Sequence, residues 1–231
     1  MPNNPLGYWR TGGVEPPTLP RGRHHLTREE VAASQKGRVM RAALHELGSK
    51  GANPMTVGAI VERAHVSKKV FYDHFEGLAE CVNESLMTLN IVAGSEMAKA
   101  ADAADSSEPF GKVRAVLGEL IESARDEPIL TTALLFPGFG LDEPGAKAWL
   151  FYEEVRSKML MAWYDDERER APDLPETTLD RSRAAFAAFE FAILTALASD
   201  TADDLVTRAD EVVGLVVAIL SNGGAQYPAA V

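Results

Sequence analysis

Residues 56–75 of this 231-residue chain, TVGAIVERAHVSKKVFYDHF, contain two short amphipathic segments joined by a tight connection. The first begins at Thr56, a good N-cap residue, and its apolar residues recur at helical spacing. This spacing predicts a short helix with one buried face, formed by Val57, Ile60, Val61 and Ala64. Ser67 caps a second short helix, whose Phe71 and Phe75 lie four residues apart and therefore point inward together. This is the layout of a helix-turn-helix reader of double-stranded DNA.

The second short helix leaves a basic face outside, made of Lys68, Lys69, Val70, Tyr72 and His74. Two lysines in the first turn lie at the positive end of the helix dipole, which costs roughly 0.3 to 1 kcal/mol unless a negative group is nearby. A DNA phosphate supplies such a group. In the major groove a lysine can also reach guanine, and Val70 can touch a thymine methyl, whereas Tyr72 and His74 suit phosphates. The alternative is a solvated lysine face on an ordinary helical hairpin.

These residues resemble the TetR family of bacterial transcriptional regulators. The family pattern has a threonine, a helix, Ala-Gly-Val-Ser, two variable positions, a small or hydroxylated residue, Leu or Phe, Tyr, a variable position and His-Phe. Here it reads Thr56, Ala64-His65-Val66-Ser67, Phe71, Tyr72 and His74-Phe75. The match is specific in the first third of the chain, and the remainder agrees only in length and in being helical. The resemblance implies a dimer with a DNA-binding N-terminal domain and a ligand-sensing C-terminal domain.

The sequence departs from the family pattern at two positions. His65 stands where the family has a turn glycine, and Val70 where it has a small or hydroxylated residue. If the turn needs a positive φ, histidine adopts it less readily than glycine but more readily than a β-branched residue. The departure therefore affects stability more than it affects the motif.

Charge is distributed unevenly along the chain, whose net charge is −11. Residues 1–75 contain 11 Lys and Arg against 6 Asp and Glu, a net charge of +5. The remaining residues contain 12 against 28, a net charge of −16. The basic part is the part that carries the motif, so the overall acidity does not exclude a nucleic-acid partner.

The predicted DNA-binding domain, residues 27–76, follows a basic arm, residues 1–26. The arm has five prolines and four glycines without an apolar period, so we expect it to be disordered. Its Arg21 and Arg23 can lie in the minor groove or along phosphates, and a leader without a role is the alternative. The predicted DNA-binding residues are therefore Thr56, Ser67, Lys68, Lys69, Val70, Tyr72, His74, Arg21 and Arg23.

Helical segments fill the remainder of the chain, which predicts an all-α fold with a three-helix head and a C-terminal ligand-binding and dimerisation domain. Thr27-Arg28-Glu29-Glu30 is a capping box that opens the first long helix, and another long helix follows Gly77. The C-terminal domain covers residues 77–221, and residues 222–231 are predicted to be a flexible tail. Beyond residue 109 we expect helices near 110–126, 128–136, 144–169, 176–199 and 202–221.

Composition excludes several classes of protein. No run of eighteen apolar residues could span a membrane, and the N-terminus lacks the apolar region of a signal peptide. A single cysteine, Cys81, excludes an internal disulfide, so we expect the cytoplasm as the compartment. We find no metal-ligand spacing, cofactor-binding loop or nucleophile with a partnered base. We therefore predict no cofactor, no metal, no membrane partner and no enzymatic activity.

Aromatic residues are dense between Phe136 and Tyr164, which hold seven of the 17 in the chain. A helical wheel puts Phe151, Tyr152, Val155, Met159, Ala162 and Trp163 on one arc of the helix near 144–169. Such an arc forms either plain core or, as the family resemblance suggests, the wall of a pocket for a small ligand. The predicted ligand-binding residues are Phe151, Tyr152, Met159, Trp163, Phe186, Phe189 and Glu190.

Glu190 is the one charged residue in the apolar stretch from Ala184 to Ala198. A carboxylate there must be paired, hydrogen-bonded or neutralised. An arginine partner or a protonated side chain is one interpretation, and a counterion for a bound cation is the other. An apolar cage with one carboxylate favours a lipophilic ligand, and a cationic one gains most from the carboxylate.

The helix near 176–199 is apolar nearly all round, so both of its sides need cover. One side carries mostly small residues, which allow a close approach to a second subunit: Ala184, Ala188, Phe191, Thr195 and Ala198. The helix near 202–221 would complete a four-helix bundle between subunits, and packing within one chain is the alternative.

The sequence therefore predicts a homodimeric DNA-binding regulator of TetR type. Family behaviour implies a repressor that a small lipophilic inducer releases from a palindromic operator. One rival interpretation is a ligand-binding or protein-interaction module with a degenerate DNA-binding head. The other is an unrecognised helical enzyme, which the lack of catalytic residue constellations disfavours.

Overall fold

The computed structural model describes residues 27–50, 55–105, 107–135 and 143–222, and the regular elements of these ranges are all helices. They are α1 (Arg28–Lys50), α2 (Val57–Arg63), α3 (Lys68–His74), α4 (Leu78–Ala103), α5 (Gly111–Asp126), α6 (Pro128–Leu135), α7 (Glu143–Arg170), α8 (Leu179–Ala198), α9 (Ala202–Thr207) and α10 (Ala209–Leu220). The predicted all-α fold is confirmed. Arg21, Arg23 and the rest of the arm, and residues 223–231 of the tail, lie outside the described residues.

The start of α1 follows from its capping box. The Thr27 N–H donates to Glu30 Oε2 at 2.7 Å, and the Glu30 N–H donates to Thr27 Oγ1 at 3.1 Å. Two of the four N–H groups that a helix start leaves without an intrahelical partner are thereby satisfied. The sequence signal and the observed helix start agree.

One predicted helix differs from the observed structure. The segment 202–221 is two helices, α9 and α10, which meet at Arg208. The Arg208 N–H donates to the Asp204 carbonyl at 3.1 Å and also to the Leu205 carbonyl at 3.2 Å, so the last turn of α9 tightens as helix ends do. Asp210 and Glu211 in the first turn of α10 then favour a new helix start.

Two compact units divide the chain, and each is built from two stretches. The first unit takes the described residues of 1–93 and 126–148, and the second takes those of 94–125 and 149–231. Residues 126–135 therefore group with the N-terminal helices. Nothing in their apolar pattern indicates that partner.

Helix α1 is the centre of the first unit, because α2, α3 and α6 all pack on it. Its buried apolar residues are Val39, Met40, Ala42, Ala43, Leu44 and Leu47. On the α6 side, Arg41 Nη2 donates to Glu127 Oε1 at 3.0 Å, and both side chains are largely buried. Gly48 lies directly against the backbone of Ile129. The contact between α1 and α6 is therefore both close and polar.

In the second unit, α8 packs against α9 and α10. Ser182 Oγ of α8 donates to the Ser157 carbonyl of α7 at 2.6 Å, and both residues are fully buried. Tyr164 of α7 stacks on Phe110 with ring centroids 6.2 Å apart. Its hydroxyl donates to the Pro175 carbonyl at 3.1 Å, which ties the connection between α7 and α8 to α7.

None of the helices in the described ranges combines the length and the apolar character that a membrane crossing requires.

We predict that Gly48→Ala destabilises the protein. A Cβ at this position would lie 2.0 Å from the carbonyl oxygen of Ile129, so α1 and α6 must separate. Overpacking typically costs about 1–3 kcal/mol, more than the roughly 1 kcal/mol that alanine gains over glycine within a helix. Thermal unfolding should therefore show a lower Tm.

Gly94→Ala is the matched control, because Gly94 also lies in a helix but a Cβ there meets nothing within 4 Å. It should raise the Tm through helix propensity alone. Equal gains in both variants would contradict the close packing of α1 on α6.

Candidate nucleic-acid interface

Side-chain caps determine where α2 and α3 begin. Thr56 Oγ1 accepts from the Ala59 N–H at 3.1 Å, and Ser67 Oγ accepts from the Val70 N–H at 3.3 Å. Loss of such a cap typically costs about 1 kcal/mol. Both hydroxyls are exposed at the start of their helices, so they position the two helices from the surface side.

The connection between the two helices is a Schellman motif at the end of α2. The Val66 N–H donates to the Val61 carbonyl at 3.0 Å, and the His65 N–H donates to the Glu62 carbonyl at 3.2 Å. His65 has a φ of 52°, in the left-handed region that favours glycine. The turn therefore requires the positive φ, and His65 carries a steric cost of roughly 1 kcal/mol there.

An apolar seam fixes which face of α3 points outward. Ile60, Val61 and Ala64 of α2 are buried, as are Phe71 and Phe75 of the second segment. The rings of Phe71 and Phe75 lie 5.5 Å apart. The predicted inward faces are confirmed except at Val57, which is half-buried.

The opposite face of α3 is open to solvent. Lys68 and Lys69 are exposed in its first turn, which contains no acidic residue. Tyr72 is 58% exposed, and Val70 and His74 are half-buried. Five of the predicted DNA-binding residues therefore lie together on one short helix, with positive charge at the positive end of its dipole.

Charged residues of α1 that sequence reasoning missed hold this unit together. Lys36 Nζ lies 5.4 Å from the centre of the Phe75 ring and 2.6 Å from Glu84 Oε1 of α4. Glu46 is 3% exposed and accepts from Lys50 Nζ and Arg63 Nε, each at 2.8 Å. Burial acts to raise the pKa of Glu46, but the hydrogen bonds and positive charges of Lys50 and Arg63 outweigh it and lower the pKa. In the sequence, Glu46 stands among the apolar core positions of α1, and a charged residue there was the signal that could have revealed these contacts.

The aromatic arc predicted on α7 is not the buried face of that helix. Phe151 is 62% exposed, Ala162 is exposed, and the other four members are half-buried: Tyr152, Val155, Met159 and Trp163. The buried face of α7 consists of Arg156, Ser157, Leu160, Tyr164 and Glu167. A helical wheel groups residues by hydrophobicity and so misses charged residues that are buried. Here Arg156 and Glu167 are buried, each with an ionic partner on α7. Phe151 is therefore not enclosed within this unit, and its place in a ligand pocket stays a prediction.

The α8 members of the predicted ligand set are buried. Phe186, Phe189 and Glu190 are each at most 6% exposed. Arg156 of α7 lies beside them, with its guanidinium 5.7 Å from the Phe186 ring centre. The structure therefore brings this part of the set into the interior of the second unit.

Glu190 belongs to a buried ionic group with Arg156 and Glu153. Arg156 Nη2 lies 3.9 Å from Glu190 Oε1, and it also hydrogen-bonds Glu153 Oε1. Burial and, next, the negative charge of Glu153 raise the pKa of Glu190 to about 9, although Arg156 opposes them. Glu190 is therefore largely protonated at neutral pH, next to an arginine.

Across the described part of the chain, no three His, Cys, Asp or Glu side chains are grouped so that they could hold a metal ion. The surface chemistry of α3 suits an anionic polymer.

The model of the family described as "Bacterial regulatory proteins, tetR family" matches residues 39–84, which span the second half of α1, α2, α3 and the start of α4. No curated protein matches the chain.

Several solved structures have a similar fold. The fatty acid degradation regulator FadR from Bacillus halodurans has a TM-score of 0.68 at 12% identity, over 79% of this chain and 94% of that chain. A candidate fatty acid metabolism regulator from Clostridium perfringens has a TM-score of 0.52 at 16% identity, over 80% and 97%. A gamma-butyrolactone receptor, described as ArpA-like, has a TM-score of 0.50 at 16% identity, over 82% and 97%. Identities this low show a shared fold alone.

The family match falls on the residues that form the two short helices, their turn and the exposed lysine face. Residues 39–84 therefore form a DNA-binding domain of the tetR family, and the chain is a TetR-type DNA-binding transcriptional regulator, a kind of protein without enzymatic activity.

Proposed function

We propose that this regulator is a dimeric repressor that binds a palindromic operator through α3 and is released by a small lipophilic ligand. The observation that carries the DNA-binding part is the exposed pair Lys68 and Lys69 in the first turn of α3. In helix-turn-helix proteins the N-terminal residues of the second helix contact base edges. The two lysines therefore lie where base or phosphate contact is expected.

The remaining polar residues fit supporting roles. Tyr72 and His74 lie one turn further along α3 and suit phosphate contacts, which fix register. Thr56 and Ser67 use their side chains as caps and lie at the surface, where helix N-termini favour phosphate. Val70, half-buried on the same helix, is the apolar residue available to a thymine methyl.

An uncovered face on α8 supports the dimer. Phe191 is 68% exposed, and its neighbours on that side are small: Ala184, Ala188, Thr195 and Ala198 are exposed or half-buried. Leu215 of α10, a helix that packs on α8, is 51% exposed. Small residues allow two helices to approach closely, and a twofold dimer reads a palindromic site. Packing α8 and α10 of one subunit against the same two helices of the other would cover the exposed sides of both helices.

A lipophilic inducer is supported by the buried, neighbouring rings of Phe186 and Phe189 and by the half-buried Tyr152, Met159 and Trp163. Two proteins of similar fold are described as fatty acid regulators and one as a gamma-butyrolactone receptor. The ionic group at Glu190 changes the expected charge of the ligand, because the sequence alone favoured a cationic one. Because Glu190 has Arg156 beside it and a raised pKa, it offers little negative charge to a cation at neutral pH. We therefore propose an uncharged or acidic lipophile.

We predict that Lys68→Ala and Lys69→Ala weaken operator binding without changing the Tm, because both side chains are exposed. Affinity is measured by titration against DNA from beside the gene at several salt concentrations. A lysine on a phosphate lowers the salt slope by about one, and a lysine on a base lowers discrimination there by roughly 1–3 kcal/mol. Lys99→Ala, an exposed lysine of α4, is the matched control. Unchanged affinity in both head variants would support the rival module with a degenerate head.

We predict that the protein is a dimer at micromolar concentration and that Phe191→Glu dissociates it. The new charge would be buried without a partner at the interface of α8. Sedimentation velocity gives the mass in solution. Tyr72→Glu, a similarly exposed aromatic on α3, should leave the dimer intact. A monomeric wild-type protein would refute the interface.

We predict that Glu190→Gln stabilises the protein increasingly as the pH rises from about 5 to 9. The folded carboxyl has a pKa of about 9 against an ordinary value of 4.5, so the folded state holds an extra proton throughout this window. Wild-type stability therefore falls with rising pH, by at most about 1.4 kcal/mol per pH unit, and the amide removes this dependence. Glu176, whose side chain is 86% exposed, provides the control: the Tm of Glu176→Gln should change with pH as the wild-type Tm does. A Tm difference that stays constant with pH would contradict the protonated Glu190.

We predict that tetradecanol or myristate releases the operator at lower concentration than tetradecylamine of equal chain length. The measurement is fluorescence anisotropy of a labelled operator at pH 7.5. Release by the amine alone, with loss of that effect in Glu190→Gln, would instead make Glu190 the counterion of a cationic inducer.

A further inference from the structure

Two charged residues of α1 hold the C-terminal end of α2. Arg38 Nη1 donates to the Ala64 carbonyl at 3.0 Å, and Glu46 Oε1 accepts from Arg63 Nε at 2.8 Å. Arg63 is the last residue of α2, and Ala64 is its C-cap. Arg38 and Glu46 are eight residues apart, within one stripe of α1. The end of α2 is thus attached to α1 at two points.

This attachment lies immediately before the turn into α3. The helices α2 and α3 have seven residues each, too few to keep their geometry alone. Between Ala64 and Lys68 the chain passes through His65 at a φ of 52°, without the freedom of a glycine. A displacement of Ala64 therefore moves the start of α3 and its two lysines.

The Glu46 contact is more than an ordinary surface ion pair. Glu46 is 3% exposed, so its charge has been removed from water and depends on Lys50 and Arg63. Buried ion pairs are weak sources of net stability, but they specify geometry, because a misplaced partner leaves a buried charge uncompensated. Arg38 adds a directional bond, since it satisfies a carbonyl at the end of a helix.

We propose that Arg38 and Glu46 are positioning residues for DNA recognition. They fix the end of α2 and thereby set the direction in which α3 presents Lys68 and Lys69. They act through Ala64 and Arg63, without contact to DNA. The proposal rests on the DNA-binding function of the chain.

The test compares specific with non-specific DNA. Full-length wild-type protein first selects an operator duplex from a random-sequence pool, and an unrelated duplex of equal length is the second probe. Arg38→Met keeps an unbranched apolar stem and removes the donor to Ala64, and Glu46→Gln keeps the side-chain shape and removes the negative charge that holds Arg63. Lys99→Gln is the control for loss of one exposed charge. Circular dichroism gives the folded fraction of each variant.

A positioning role predicts that operator affinity falls roughly 10-fold or more, the size of one lost base contact, while affinity for the unrelated duplex stays within about 2-fold. The salt slope stays at the wild-type value, because the number of phosphate contacts is unchanged.

Three results would overturn the proposal. A salt slope lower by about one on both duplexes makes Arg38 a phosphate contact. Equal losses on both duplexes, in step with the folded fraction, make the two residues merely structural. Unchanged operator affinity in both variants would exclude a role of Arg38 and Glu46 in DNA recognition.

If Arg38→Met does not fold, Arg38→Lys and Glu46→Gln carry the same comparison. Failure of the wild-type protein to enrich any sequence is a separate outcome, since it contradicts the DNA-binding function itself.

Discussion

A helix of two turns does not persist in water by itself, so the DNA-binding surface of this protein depends on the 23-residue α1 that covers it. The helices α2 and α3 supply their caps and their apolar seam, but α1 supplies the partner on which both pack. Polar groups of α1 add direction to that packing at the end of α2 and at Phe75. Recognition of DNA is therefore a property of three helices, although two of them carry the motif.

Local signals explain how much of the structure could be predicted. Thr27, Thr56 and Ser67 act within three residues of their own position, and the seam of Phe71 and Phe75 repeats at one helical turn. Such features need no knowledge of the remaining chain. The conformation of His65 could be predicted only in part. The family pattern has a glycine at this turn position, but only the structure shows that φ there is positive.

Features that join distant residues could not be predicted. The apolar residues of α6 indicate a buried helix, but the pattern of apolar residues does not show that α6 packs on α1. On α7, a wheel ordered by hydrophobicity favoured the arc that contains Phe151, whereas Arg156 and Glu167 occupy the interior. The buried charge of Arg156 is tolerable because the Glu153 carboxylate, one turn earlier on α7, accepts from it. The Glu190 carboxyl beside it comes from 34 positions further along the chain.

Contact between α1 and α6 has a consequence for how the chain folds. Gly48 and Ile129 are about 80 positions apart, so their contact closes a long loop and adds non-local pairing to an otherwise local helical unit. A fragment that ends after α3 would leave the side of α1 with Arg41 and Gly48 uncovered. During synthesis on the ribosome, the N-terminal unit stays incomplete until α6, which ends at Leu135, has emerged.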